Sequence, residues 1–127
     1  MLSSEKRVCL ACGATDLRKS IDALSALVRE NFKLDPFDDA LFVFCNRNRD
    51  IIKILEWGGD GFWIHMKKIE RGRFNWPVSK GDKIMPIAFR ELEILIESTR
   101  LRSKLRREQI FSPITDEMRE KFYMKIQ

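Results

Sequence analysis

Residues 46–77 read NRNRD, IIKILEW, GGDG, FWIHMKKIERGRFNWP, and the fold turns on this stretch. The runs that start at Ile51 and Phe62 are rich in Ile, Leu, Phe and Trp, residues that suit a pleated strand. Between them lies Gly58-Gly59-Asp60-Gly61, whose residues tolerate the positive φ of a tight hairpin loop. In the second run Phe62, Ile64, Met66 and Lys68 fall on one face, and Trp63, His65, Lys67 and Ile69 on the other. The pattern predicts a hairpin with one buried face and one basic, aromatic face. Nothing in the stretch has the spacing of a catalytic site. It reads as a gripping surface, for which nucleic acid is the natural candidate.

Outward from the hairpin, the N-terminal side predicts a strand over Arg7 to Gly13 and then a helix capped by Thr15 or Asp16. Leu17, Ile21, Leu24, Leu27 and Val28 form its apolar stripe, and it ends near Asn31. Asp35-Pro36 marks a loop. The continuous apolar run Leu41 to Cys45 predicts a strand buried on both faces, and Asn46 to Asp50 a polar connection. On the C-terminal side Trp76-Pro77 ends the hairpin, since proline has no N–H for a ladder. Ile84 to Ile87 predicts a short edge strand because it contains Pro86. A second helix starts near Ala88, with Phe89, Leu92, Leu95 and Ile96 on one side. The order predicts an α+β domain: a small antiparallel sheet with a central hairpin, packed against one or two amphipathic helices. The domain spans 1–99. Residues 100–127 form a basic extension, with a terminal helix over Asp116 to Ile126.

A chain of 127 residues with a hydrophobic share of 44% builds one domain with a real core. Its net charge of +5 suits nucleic acid or an anionic surface, and suits many plain basic domains equally. The N-terminus carries no signal-peptide pattern, and no run approaches the roughly 18 apolar residues of a membrane span, so a soluble, cytoplasmic protein is expected. Cys9, Cys12 and Cys45 are too few and odd for a disulfide framework. Cys9 and Cys12 have the spacing of a zinc knuckle, which Cys45 and His65 would complete on paper. Residues three apart on a strand point to opposite faces, however, and no second paired motif exists. No metal and no cofactor are expected. His65 has no nucleophilic partner in pattern, and Asp50, Asp60 and Glu70 are scattered, so an enzyme is not expected.

Arg47, Arg49, Lys53, Lys67, Lys68, Arg71 and Arg73 are candidate phosphate contacts, because clustered cations neutralise backbone phosphates and release counterions. The other reading of the same cations is a solvated face paired with Asp50, Glu56 and Glu70. Trp63 lies on the cationic face and is the candidate for stacking on a base, whereas Trp57 and Trp76 read as packing residues. Arg71-Gly72-Arg73 reads as a phosphate clamp, a strand-ending bulge, or both. Asp16, Arg18, Lys19 and Asp22 read as a structural helix start. The basic run Arg100 to Arg107 reads as a solvated helix face or a phosphate-binding arm.

Four motifs taken together resemble a known family. They are Thr15-Asp16-Leu17-Arg18-Lys19-Ser20-Ile21-Asp22, Leu41-Phe42-Val43-Phe44-Cys45-Asn46-Arg47, Lys53-Ile54-Leu55-Glu56-Trp57 followed by Gly59, Gly61 and Phe62, and Lys68-Ile69-Glu70-Arg71-Gly72-Arg73-Phe74 followed by Trp76-Pro77. In this order they resemble the TnpB accessory protein of IS66-type bacterial insertion sequences, over Arg7 to Glu97. The segment after Ser98 matches less well. The resemblance implies a small protein encoded beside a separate DDE-type transposase and needed for efficient transposition, with strand cleavage and joining left to the transposase. Two functions are compatible with it. One is a non-enzymatic DNA-binding factor with DNA and transposase as partners. The other is an adaptor that docks on the transposase through the sheet or its exposed edge without contacting DNA. The oligomeric state is left open.

Overall fold

A ten-residue helix separates the first two strands, and a connection of that length lets them run parallel. The computed structural model describes residues 6–79 and 81–105. Strand β1 (Arg7–Ala11) leads through helix α1 (Ile21–Glu30) to β2 (Ala40–Cys45), which lies parallel to β1 with Val8 opposite Leu41. Then come β3 (Ile51–Trp57), β4 (Phe62–Lys68), β5 (Ile84–Ile87) and helix α2 (Phe89–Leu105). The sheet order is β4-β3-β2-β1-β5, antiparallel at every junction except β1–β2. The fold is α+β with a five-stranded mixed sheet, which corrects the expectation of a purely antiparallel one. The hairpin β3–β4 stands at one margin with β4 as an edge strand, and the centre belongs to β2, whose six residues are all buried.

Burial on both faces explains why β2, and β1 after Arg7, are apolar throughout. On one face Leu24 and Val28 of α1 meet Cys9, Ala11, Phe42, Phe44 and Leu55. On the other, Leu92 and Leu95 of α2 meet Val8, Leu10, Leu41, Val43, Ile52 and Ile54, joined by Phe74 and Trp76 from the loop after β4. Trp76 is buried and its Nε1–H donates to the Ala11 carbonyl at 2.9 Å, so its one polar atom is satisfied in the core. Cys9 and Cys12 contribute to opposite faces, Cys45 lies in the α2-side core, and His65 is held by Glu56, so these four do not converge.

Helix α1 starts later than its sequence suggests. Ser20 is the N-cap and accepts from the Ala23 N–H at 3.2 Å, while Leu17 lies in the preceding loop and is buried there. Asp16 is committed instead to Arg18. Helix α2 is preceded by an alanine, and Glu91 substitutes for a capping side chain by accepting from the Ala88 N–H at 2.7 Å. The helix runs across the expected boundary between residues 99 and 100. The expected terminal helix over Asp116 to Ile126 lies outside the described residues. Among the described residues no helix is long and apolar enough to cross a membrane.

Candidate nucleic-acid interface

Because β1 and β2 are parallel and β3 and β4 antiparallel to their neighbours, three connections converge at one end of the sheet. They are the β1–α1 loop, the β2–β3 turn and the segment after β4. Backbone hydrogen bonds join them. The Thr15 N–H donates to the Cys45 carbonyl at 2.8 Å, the Ile69 N–H to Asp50 at 2.9 Å, and the Phe74 N–H to Arg49 at 2.7 Å.

The β2–β3 turn is organised by Asn46. Its Oδ1 accepts from the backbone N–H groups of Asp50 and Ile51, both at 3.0 Å, and its Nδ2 donates to the Asp50 carboxylate at 2.7 Å. The chain between them is thereby forced outward, with Arg47, Asn48 and Arg49 exposed and Arg49 held at φ 60°. After β4, Gly72 sits at φ 79°, where a side chain would be strained, and turns Arg71 and Arg73 to solvent. Among the described residues Arg47, Arg49, Lys68, Arg71 and Arg73 make no ion pair.

An open cleft of about 630 Å³ occupies this end. Arg18, Asn46, Arg47, Lys53 and Met66 line it, with Asp16 on the rim. Asp16 receives two guanidinium hydrogen bonds from Arg18, both at 2.9 Å, plus the Arg18 backbone N–H at 3.1 Å. Those side-chain and backbone bonds hold its carboxyl well below the usual carboxylate range. It stays ionised, and it draws off the charge of Arg18. Lys53 is half-buried and its Nζ donates to the Leu17 carbonyl at 2.6 Å, which ties the loop to the sheet.

The side chains of β4 divide between the two faces as their alternation predicts. Lys53, Met66 and Lys68 belong to the α1 side, as the pairing of Lys53 with Met66 and of Ile51 with Lys68 requires. Trp63, His65 and Lys67 belong to the α2 side. Lys67 is not free there, since its Nζ donates to the Ile96 carbonyl of α2 at 3.3 Å. Trp63 is 52% exposed and stacks on His65 with ring centroids 6.2 Å apart, but it sits near the hairpin turn. Five residues along a strand put it roughly 17 Å from Lys68. The expected basic, aromatic face is thus not one surface, because α2 covers part of it and the strand carries Trp63 away from the cationic end. Trp57 packs against Phe37 and Phe62, with ring centroids 4.9 Å apart in each pair.

Arg18 and Asn48 are not among the candidates that the sequence singles out for this interface. A strand–helix–strand reading of residues 7–45 would have pointed to Arg18, because a parallel crossover returns its first loop to the end of the sheet that carries the next turn. The opposite end has a different character. A second cleft of about 440 Å³ is lined there by Phe37, Asp38, Asp39, Glu56, Trp57 and Trp63, among others. Beneath it Glu56 is buried and binds Lys6 at 2.8 Å and His65 at 2.7 Å. Burial pushes its carboxyl up, and the hydrogen bonds from Lys6 and His65 outweigh that and leave it below its ordinary value.

A family model described as IS66 Orf2 like protein, TnpB_IS66, matches residues 6–106. Two proteins of Sinorhizobium fredii are similar to the chain. The uncharacterized protein y4hO is 40% identical over 78 residues, 61% of this chain and 68% of y4hO. The uncharacterized protein y4jC is 29% identical over 90 residues, 71% of this chain and 76% of y4jC. No solved structure matches. With the family model covering the whole described chain, from β1 through α2, this protein belongs to the IS66 Orf2-like family of insertion-sequence accessory proteins.

Proposed function

We propose that this accessory protein binds DNA without catalysing a reaction on it, and that the interface is the end of the sheet carrying Arg47, Arg49, Arg71 and Arg73. The observation that supports this reading is the convergence of four arginines, without ion pairs among the described residues, on two loops joined by the Phe74–Arg49 backbone hydrogen bond. Arginines presented this way contact phosphates and release counterions, which gives affinity without sequence readout. Lys53 and Lys68 add positive charge on the same side of the hairpin. Holding element ends in this way would assist the separate transposase.

The test is binding of labelled duplex and single-stranded DNA, element ends included, across a salt series. Binding that weakens steeply with salt, and that is lost when the four arginines become alanine, is the expected result. Retention of binding in that variant would overturn the assignment.

The second cleft favours one other reading, an adaptor that docks on the transposase through its acidic, aromatic end. Capture of transposase that survives high salt, needs no DNA and is lost in Phe37→Ala would support it.

A further inference from the structure

The two margins of the sheet are built differently. The β5 edge is four residues long and carries the exposed Pro86, a residue that cannot donate to an added strand. The β4 edge runs seven residues with neither proline nor bulge, and its register against β3 is unbroken from Phe62 to Lys68. It also carries two of the large apolar side chains left in solvent, Trp63 at 52% and Met66 at 61% exposure. Natural edges of that length are usually blunted. On β4 the lysine pair Lys67-Lys68 guards one end and leaves Phe62 to Met66 open.

The polarity of β4 indicates what covers it. The Gly58 N–H donates to the Gly61 carbonyl at 2.7 Å and the Ile69 N–H to Asp50 at 2.9 Å, so the odd-numbered residues of β4 face β3. The N–H and C=O groups of Phe62, Ile64, Met66 and Lys68 therefore point outward. The strand opens beside Asp60 and closes on Lys67 and Lys68. Antiparallel pairing of two such strands sets Lys67 and Lys68 of each beside Trp63 and Phe62 of the other, and leaves Asp60 and Glu70 outside the paired segment at its two ends.

We propose that β4 pairs with β4 of a second copy of this chain, antiparallel and centred on His65. With this centre Ile64 lies opposite Met66 of the partner and Phe62 opposite Lys68, so every outward N–H and C=O of the strand is matched. Lys68, which makes no ion pair among the described residues, comes opposite Phe62 of the partner, where a cation and an aromatic ring attract. Met66 is covered by Ile64. Centres other than His65 leave outward groups at one end of the strand unmatched. The two sheets become one continuous sheet, and the antiparallel two-fold puts the arginine-bearing ends at its opposite poles. If the DNA reading above holds, one dimer presents two separate phosphate-binding surfaces.

The experiment is the mass of the full chain in solution by sedimentation equilibrium at tens of micromolar, which involves no DNA and so is independent of the DNA reading. The expected mass is twice 15.0 kDa. Met66→Pro removes an outward N–H and leaves the β3 ladder intact, and should weaken association by more than about tenfold, the effect of losing one or two hydrogen bonds. Met66→Lys, which asks less of the backbone, should do the same, and circular dichroism would verify that both variants fold. In a Cys12→Ser background His65→Cys should form a disulfide between copies on oxidation, since residues opposed at a non-hydrogen-bonded site lie about 4.5 Å apart at Cα. A monomer at this concentration would overturn the proposal. So would a dimer that both Met66 variants leave intact and that His65→Cys does not cross-link.

Discussion

Glu56 is the residue on which most of the buried charge depends. It is 2% exposed and joins Lys6 ahead of β1 to His65 on β4. Replacing it with glutamine leaves Lys6 facing a neutral partner in a largely desolvated site. A fully buried broken pair costs about 3–5 kcal/mol, and the partial solvent access of Lys6 and His65 reduces this to about 2 kcal/mol, measurable by urea unfolding. The pH dependence follows from the lowered carboxyl. Its stabilising contribution is complete above the unfolded value of about 4.3 and disappears as pH falls through the lower folded value. Wild type should therefore lose stability below about pH 4 more steeply than Glu56→Gln, as acid titration of the unfolding midpoint would record. Arg49 is a second residue whose conformation and chemistry can be separated. At φ 60° a glycine is favoured on backbone grounds, so Arg49→Gly should leave stability unchanged or raise it by up to about 1 kcal/mol while weakening DNA binding. Equal loss of both would mean that Arg49 is structural.

At the level of elements, the start of α1 distinguishes two candidate caps. Ser20 accepts from the Ala23 N–H, and Ser20→Ala should cost about 1 kcal/mol in thermal or urea unfolding. Asp16→Ala, at an exposed pair with Arg18, should leave the unfolding midpoint almost unchanged. The reverse order would restore Asp16 as the cap. The strands themselves were legible, because a run such as Leu41 to Cys45 or the alternation after Phe62 is a local signal. Both sides of the Gly58–Gly61 turn were recovered. The parallel pairing of β1 with β2 was not, since register depends on the crossover of α1 and not on either strand alone.

At the scale of the whole molecule, four arginines without ion pairs among the described residues gather at one end in the strand direction. Arg47, Arg49, Arg71 and Arg73 sit at one end, and Asp38, Asp39 and Asp60 at the other. This arrangement predicts that substituting the four arginines reduces the slope of log affinity against log salt by about 3–4, near 0.9 for each phosphate that an arginine no longer neutralises. Lys67→Ala should change that slope little, because Lys67 already donates to Ile96 on α2. A slope change for Lys67→Ala as large as that for Arg47→Ala would relocate the interface to the α2 side.

The amino-acid sequence alone determined the hairpin, the buried strand after residue 40, the edge character of the strand with Pro86, and the family. Each of these rests on local periodicity, turn chemistry or ordered motifs, which a linear chain displays directly. Only the tertiary structure decided which cations are free. Lys53 is taken up by Leu17, 36 residues away, and Lys67 by Ile96, 29 residues away. The parallel crossover likewise decided that Arg18 and Arg47 would line the same cleft. Contacts between distant segments depend on how two helices and five strands stack, and a strand's own alternation carries no record of what covers each face.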